Sequence, residues 1–144
     1  MEEYMDRSTF IYQLYIGATP EKIWEALTNP DMTVQYWAHR NISDWKVGSS
    51  WEHQRPDENH TVDISGKIEA YNQPWRLTHG WTFAGQTHHA QVTFDIEKVD
   101  DNIAKLTLTH KNMEQDIERE VWAKVLCGLK TLVETGHALP NLMG

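Results

Sequence analysis

Apolar and polar residues alternate with a period of two along most of the chain and switch to helical spacing at two places. Over residues 7–18, Phe10, Tyr12, Leu14 and Ile16 alternate with Thr9, Ile11, Gln13 and Tyr15, which predicts a strand. Thr19-Pro20-Glu21 then opens a helix, with Thr19 as N-cap, Pro20 at the first helical position and Ile23, Trp24 and Leu27 as a short apolar stripe. Asn29-Pro30-Asp31 ends that helix and caps a second short one running through Val34, Tyr36 and Trp37. Residues 41–47 predict a short strand or an irregular edge, and Gly48 turns the chain into residues 50–55, where Trp51, His53 and Arg55 share a face. After the turn Pro56-Asp57-Glu58-Asn59, residues 61–71 carry Val62, Ile64, Gly66, Ile68 and Ala70 on one side. Gly66 inside that strand predicts a bulge or bend, which a sheet needs in order to curl. Residues 75–83 (Leu77, His79, Trp81, Phe83), 88–99 (Ala90, Val92, Phe94, Ile96) and the segment with Ala104, Leu106, Leu108 and His110 continue the alternation, separated by Ala84-Gly85 and Asp100-Asp101-Asn102.

The second switch is a long helix over residues 113–136. Ile117, Val121, Trp122, Val125, Leu126, Leu129, Leu132 and Val133 fall on one broad face. Asn112 with Gln115 offers an N-cap and capping-box partner, Glu114 and Asp116 suit the positive end of the dipole, and Gly136 is a natural terminator with Pro140 beyond it. The order predicts an α+β fold: a curved antiparallel sheet of about six to seven strands wrapped around a long C-terminal helix, with two short helices after the first strand.

A chain of 144 residues without repeats or linker-like stretches predicts a single domain spanning residues 1–144. The formal charge of −8, with no basic cluster, argues against nucleic acid and against an anionic membrane surface. The N-terminal stretch carries acids and Tyr4 rather than an apolar core, and no apolar run approaches the roughly 18 residues of a membrane span. A lone cysteine, Cys127, excludes an intrachain disulfide and reads as a small packed hydrophobe rather than a reactive thiolate. A cytoplasmic protein is expected. Seven tryptophans are many for this length, and they serve either as core filling or as the lining of a ligand cavity.

Several pieces in this order resemble the START-like, helix-grip superfamily (SRPBCC domains), and within it the branch named after the activator of the heat-shock-protein-90 ATPase. They are Ala18-Thr19-Pro20-Glu21-Lys22-Ile23-Trp24 with Thr28-Asn29-Pro30, Tyr36-Trp37, and Val47-Gly48-Ser49-Ser50-Trp51. Gly66, Ile68-Glu69, Pro74, Arg76, Leu77 and Trp81 follow, then Trp122, Leu126, Leu129-Lys130, Leu132, Glu134 and Gly136. The chain departs from the pattern at Gly48-Ser49, where the family usually pairs glycines, and at Val121, where glycine often precedes the helix tryptophan. The resemblance implies a cavity between the curved sheet and the long helix, open at one end, in a superfamily whose members bind lipids, polyketides or plant metabolites and include some enzymes.

On that layout Trp37, Trp51, His53, His79, Trp81, Phe83 and His110 join Trp122 and Leu126 as candidate ligand-binding residues, an aromatic wall with a few polar groups. Three inward histidines are more than a sealed apolar core favours, since buried imidazole needs partners. His53, His79 and His110 lack any local metal-ligand spacing, so no metal is expected, and no nucleotide or nucleophile motif predicts a cofactor. Arg55, Glu52, Asp63 and His79 are types able to polarise a carbonyl or move a proton, but nothing in the sequence positions them. Gly128 in the helix reads as a close helix–sheet contact or as room for a ligand. The leading expectation is a protein, monomer or weak homodimer, that holds an apolar or aromatic small molecule. The alternatives are an enzyme of the same scaffold acting on a ketone-bearing or aromatic substrate through His79 or His53, and a co-chaperone-like interaction protein.

Overall fold

Alternation survives most cleanly in the strand Ile103–Lys111, where Ala104, Leu106, Leu108 and His110 are buried and the residues between them are not. The computed structural model describes residues 8–143. Its elements are β1 (Phe10–Ile16), α1 (Pro20–Thr28), α2 (Pro30–Trp37), β2 (Arg40–Ser43), β3 (Ser50–Gln54), β4 (Val62–Asn72), β5 (Arg76–Phe83), β6 (Ala90–Asp100), β7 (Ile103–Lys111) and α3 (Ile117–Thr135). The strands form one open antiparallel sheet in the order β1-β7-β6-β5-β4-β3-β2, with the helices against its inner face. This is the α+β helix-grip arrangement. Arg7 and the N-terminal acids with Tyr4 lie outside the described residues.

The helix caps follow the local sequence. Thr19 accepts from the Lys22 N–H, and Asn29 both ends α1 and, through its side chain, accepts from the Asp31 N–H to start α2. Gly136 closes α3 at φ 84°, its N–H donating to Leu132 O. The start of α3 differs from the expectation. Asn112 is left-handed (φ 59°) and its Nδ2 donates to His89 O, while the Met113 N–H donates to Ser8 O. Both residues therefore serve the sheet end, and the helix begins four residues late, behind Asp116, which makes no side-chain cap. Glu118 does part of that work instead, its Oε2 accepting from the Gln115 N–H at 2.9 Å.

Strand β4 curls the sheet. Its bulges fall at Asp63 against β3 and at Glu69 against β5, flanking Gly66 rather than landing on it. Gly66 itself supplies close approach: a Cβ there would lie 2.3 Å from the Gly80 carbonyl group of β5. Trp51 sits directly opposite Gly66, and its ring reaches past β4 to stack on His79 of β5 at 3.8 Å. The bare backbone at Gly66 is what lets an aromatic from β3 cross to β5.

The long helix is anchored at its C-terminal half and stands off at its N-terminal half. Glu134 accepts from the Gly17 N–H and from Lys130 Nζ, both at 2.6 Å, and Lys130 also donates to Tyr15 O of β1. The Gly17 N–H, then Lys130, holds the Glu134 carboxyl below its ordinary pKa. Gly128 abuts α2, where a Cβ would meet Tyr36 Cβ at 3.1 Å, so its contact is helix on helix rather than helix on sheet. Tyr36 is fully buried there, its hydroxyl donating to Ala26 O at 2.7 Å and raised in pKa by burial. Two expectations about α3 fail. Cys127 is exposed rather than packed, because it projects away from the face of Leu126 and Leu129. Ile117 and Val121, at 57% and 39% exposed, lie on the open end of the helix rather than in the core.

The Gly66–Gly80 approach leaves no room for a methyl group. Gly66→Ala is expected to lower the unfolding free energy by about 2 kcal/mol or more, the scale of overpacking a tight contact. Urea melts of the two proteins measure this, and a change within about 0.5 kcal/mol would show that β4 and β5 do not meet as described.

Candidate functional site

Where α3 leaves the sheet, a cavity of about 840 Å³ opens between its first turns, β3–β5 and the end of α2. Trp37, Trp81, Phe83, Trp122, Ile64, Val121 and Val125 supply most of its walls, and His39, His53, Arg55, Asp63 and Glu118 supply polar groups. Trp122 is the prop. Its ring centroid lies 5.2 Å from Trp81, 5.4 Å from Trp37 and 5.9 Å from Phe94, so three elements meet on one indole.

Of the nine residues expected to bind ligand, Trp37, His53, Trp81, Phe83 and Trp122 line this cavity. Trp51, His79, His110 and Leu126 do not. They point to the same side but lie buried behind the wall, each at 2% exposure or less. A strand's period reports which face a side chain takes, not how deep in the face it ends.

Polar contacts decide what each histidine can do. His53 Nδ1 donates to the carbonyl oxygen of Asn41 at 2.5 Å, which leaves its lone pair on Nε2. His53 is also stacked on His39 at 4.0 Å, edge-on to Trp37 at 4.8 Å, and stacked on Trp51 at 5.8 Å. Burial first, then the neighbouring His39 and His79, holds its pKa down to about 2. His79 donates from Nδ1 to Gly80 O at 2.8 Å, and burial lowers its pKa to about 4. His110 is lowered to about 4 by burial, then by His79 and His88; its Nδ1 accepts from the Trp122 indole N–H at 2.8 Å. All three rings are neutral at pH 7.

At the cavity rim His39 Nε2 meets Asp63 Oδ2 at 2.7 Å, and Arg55 Nε reaches both Asp63 oxygens at 2.9 and 3.1 Å. The Arg55 hydrogen bond, opposed by desolvation and helped by His39, holds the Asp63 carboxyl at about 2. His39 Nδ1 faces Trp37 O at 3.2 Å, so both ring nitrogens are engaged and neither is free to take a proton from a ligand. No three His, Cys, Asp or Glu side chains are grouped to hold a metal ion among the described residues.

Sequence reasoning left out His39 and Glu118, named Gln115 only as a capping partner, and named Arg55 and Asp63 without a place in the site. Glu118 carried a usable signal: it stands one turn before Trp122, an acid on the apolar face of α3 and 7% exposed. His39 carried none, since it follows the left-handed Ala38 in a loop outside any period.

Comparison with known proteins places this geometry. A family model described as activator of Hsp90 ATPase homolog 1-like protein matches residues 17–134. No curated protein matches the sequence. Among solved structures, the Aha1 dimer from Colwellia psychrerythraea is 25% identical over 89% of this chain and 97% of that one, with a TM-score of 0.70. CalU16 from Micromonospora echinospora is 19% identical over 89% of this chain and 77% of that one, at 0.72. DynU16, a protein of the dynemicin biosynthetic locus, is 17% identical over 92% of this chain and 49% of that one, at 0.75. No helix among the described residues is long and apolar enough to cross a membrane.

Neutral buried histidines make stability depend on pH. Each titrates near 6.5 when unfolded and at about 2 or 4 when folded, so the unfolded chain binds more protons below 6.5. The stability they preserve is complete above pH 6.5 and is lost as pH falls from there towards 4. Urea melts are expected to show a falling unfolding free energy from about pH 6.5 to 4, with on the order of three protons taken up on unfolding. An unfolding free energy that stays level from about pH 7.5 to 5 would contradict their burial as neutral rings.

Proposed function

The chain belongs to the family of activator of Hsp90 ATPase homolog 1-like proteins, and from that premise we propose that it binds an apolar or aromatic small molecule in the cavity beside α3. The observation that carries this is the cavity itself: about 840 Å³, walled by Trp37, Trp81, Phe83 and Trp122 and rimmed by Arg55, Asp63 and His39. Its size and its mixture of apolar walls with a few polar groups suit a small organic ligand. A relative in a biosynthetic locus supports the same reading, since the fold there accompanies the making of small organic molecules.

Binding without turnover is the form of the reading that the polar groups favour. Burial lowers His53 to about 2 and His79 to about 4, which makes both rings weak proton acceptors near pH 7. His39 has both nitrogens engaged and Asp63 is held by Arg55, so the polar groups favour holding a ligand over moving its protons. The ligand would enter past Ile117 and Val121, the two half-exposed apolar residues at the open end of α3.

A panel of flavonoid-like, polyketide-like and lipid compounds tests this by NMR of the tryptophan indole N–H signals. Binders are expected to shift Trp81 while leaving Trp75, exposed in the β4–β5 turn and not part of the cavity lining, unchanged. Val121→Trp, which fills the mouth, is expected to weaken any binder by about tenfold or more with little change in thermal stability. Failure of every compound to move Trp81 would sink the proposal.

A further inference from the structure

A second, smaller hollow of about 380 Å³ lies beside the segment that follows α3. Val34 and Gln35 line it from α2, Gly128 from α3, and Leu139 and Leu142 from the C-terminal segment. One residue, Met143, lines both this hollow and the 840 Å³ cavity. The two spaces therefore meet at a single side chain. Their order along α3 agrees, since Ile117, Val121 and Val125 face the cavity and Gly128, three residues further on, faces the hollow. From Ile117 to Gly128 the helix advances about 16 Å.

The segment that carries Met143 is held by packing rather than by hydrogen bonds. Gly136 ends α3 in the left-handed region, and Asn141, at φ 57°, turns the chain again. The His137 N–H donates to Thr135 Oγ1, and beyond it no hydrogen bond ties residues 138–143 to the body among the described residues. Leu142 Cδ2 comes within 3.6 Å of where a Cβ on Gly128 would lie, and Ala138 and Met143 pack half-buried against the core. A segment held by so few apolar contacts opens at low cost. Methionine, unbranched and with three rotatable bonds, is also the apolar side chain that changes shape most readily.

Resting on the cavity reading above, we propose that Met143 is a displaceable partition, and that cavity and hollow are two parts of one site for a ligand with an aromatic ring and a long unbranched hydrocarbon chain. The gap left when Met143 swings aside has the cross-section of one linear side chain. An unbranched chain passes such a gap, whereas a ring or a branched group does not. The ring then stays on the cavity side, beside Phe83 and Val121, and the chain runs past Met143 to lie against Val34 and Leu142. Gly128 keeps α3 from filling that path with a side chain of its own. Each methylene beyond the partition leaves water for apolar surface that the cavity alone does not offer.

The test compares para-octylphenol carrying a linear chain with its branched isomer, para-tert-octylphenol, and uses para-ethylphenol as the short member that needs the cavity alone. Titrations followed by tryptophan fluorescence are expected to show the linear isomer binding the wild-type chain about tenfold or more tightly than the branched one. By NMR the linear isomer alone should move the Val34 methyl signals, because Val34 lines the hollow and not the cavity. Val34→Trp, which fills the hollow, is expected to cut the preference to about threefold or less while para-ethylphenol binds as before. Met143→Ala, which removes the partition, is expected to keep the preference or widen it. A preference lost in Met143→Ala would make that residue a fixed wall and overturn the divided site. So would equal affinity of the two isomers for the wild-type chain, or a preference that survives Val34→Trp, and in each case the cavity reading would stand. Binding of none of the three, with the wider panel also silent, would overturn both.

Discussion

The structure depends on a helix that is held in different ways at its two ends. Lys130 and Glu134 fasten the C-terminal half of α3 to Gly17 and Tyr15 at the end of β1, and Gly128 lets it press against Tyr36 of α2. The N-terminal half is set on the sheet by side chains, with Arg119 over Phe10, Trp122 Nε1–H donating to His110, and the Trp122 ring on Trp81, Trp37 and Phe94. A helix so inclined to a curved sheet must leave space at its free end. The cavity is thus a consequence of where the anchors are, and the closely packed end provides the stability that the open end gives up.

The sheet meets this helix with an unusual amount of imidazole. His79, Trp51, His53 and His39 form a stacked column across the inner face, made possible by the absence of a side chain at Gly66. Burial of neutral imidazole is tolerable only when each ring has a polar partner, and Asn41, Gly80 and Trp122 provide one apiece. Each partner also fixes a tautomer, so His53, His79 and His110 present a defined pattern of donors and acceptors. That arrangement suits recognition better than proton transfer, because His53, His79 and His110 stay neutral near pH 7.

Much of this was legible in the sequence where local physics decides the outcome. Thr19, Asn29 and Gly136 cap because their side chains or backbone freedom act within a few residues, and the period-two strands place His53, Trp81 and His110 on the inner face. The misses come from contacts between distant segments. Asn112 has the sequence of an N-cap but is captured by His89 across the hairpin end, so α3 starts late. Trp51, His79, His110 and Leu126 share the face of the site but are covered by it, and depth depends on sheet curvature that no period encodes. His39 enters the site from a loop, and its pairing with Asp63 joins residues that the strand order alone brings together.

Family membership carries the grip of helix on sheet, and the individual character of the site lies where this chain departs from the shared pattern. Glycine often precedes the helix tryptophan in the proteins it resembles, and here Val121 stands in that place, half-exposed and lining the cavity. A branched side chain there narrows the opening without touching the anchors at the other end of α3. One turn before Trp122, Glu118 secures the start of the helix, its Oε2 accepting from the Gln115 N–H. The face that α3 turns to the cavity is made by Ile117, Glu118, Val121, Trp122 and Val125, set against a wall contributed by the sheet.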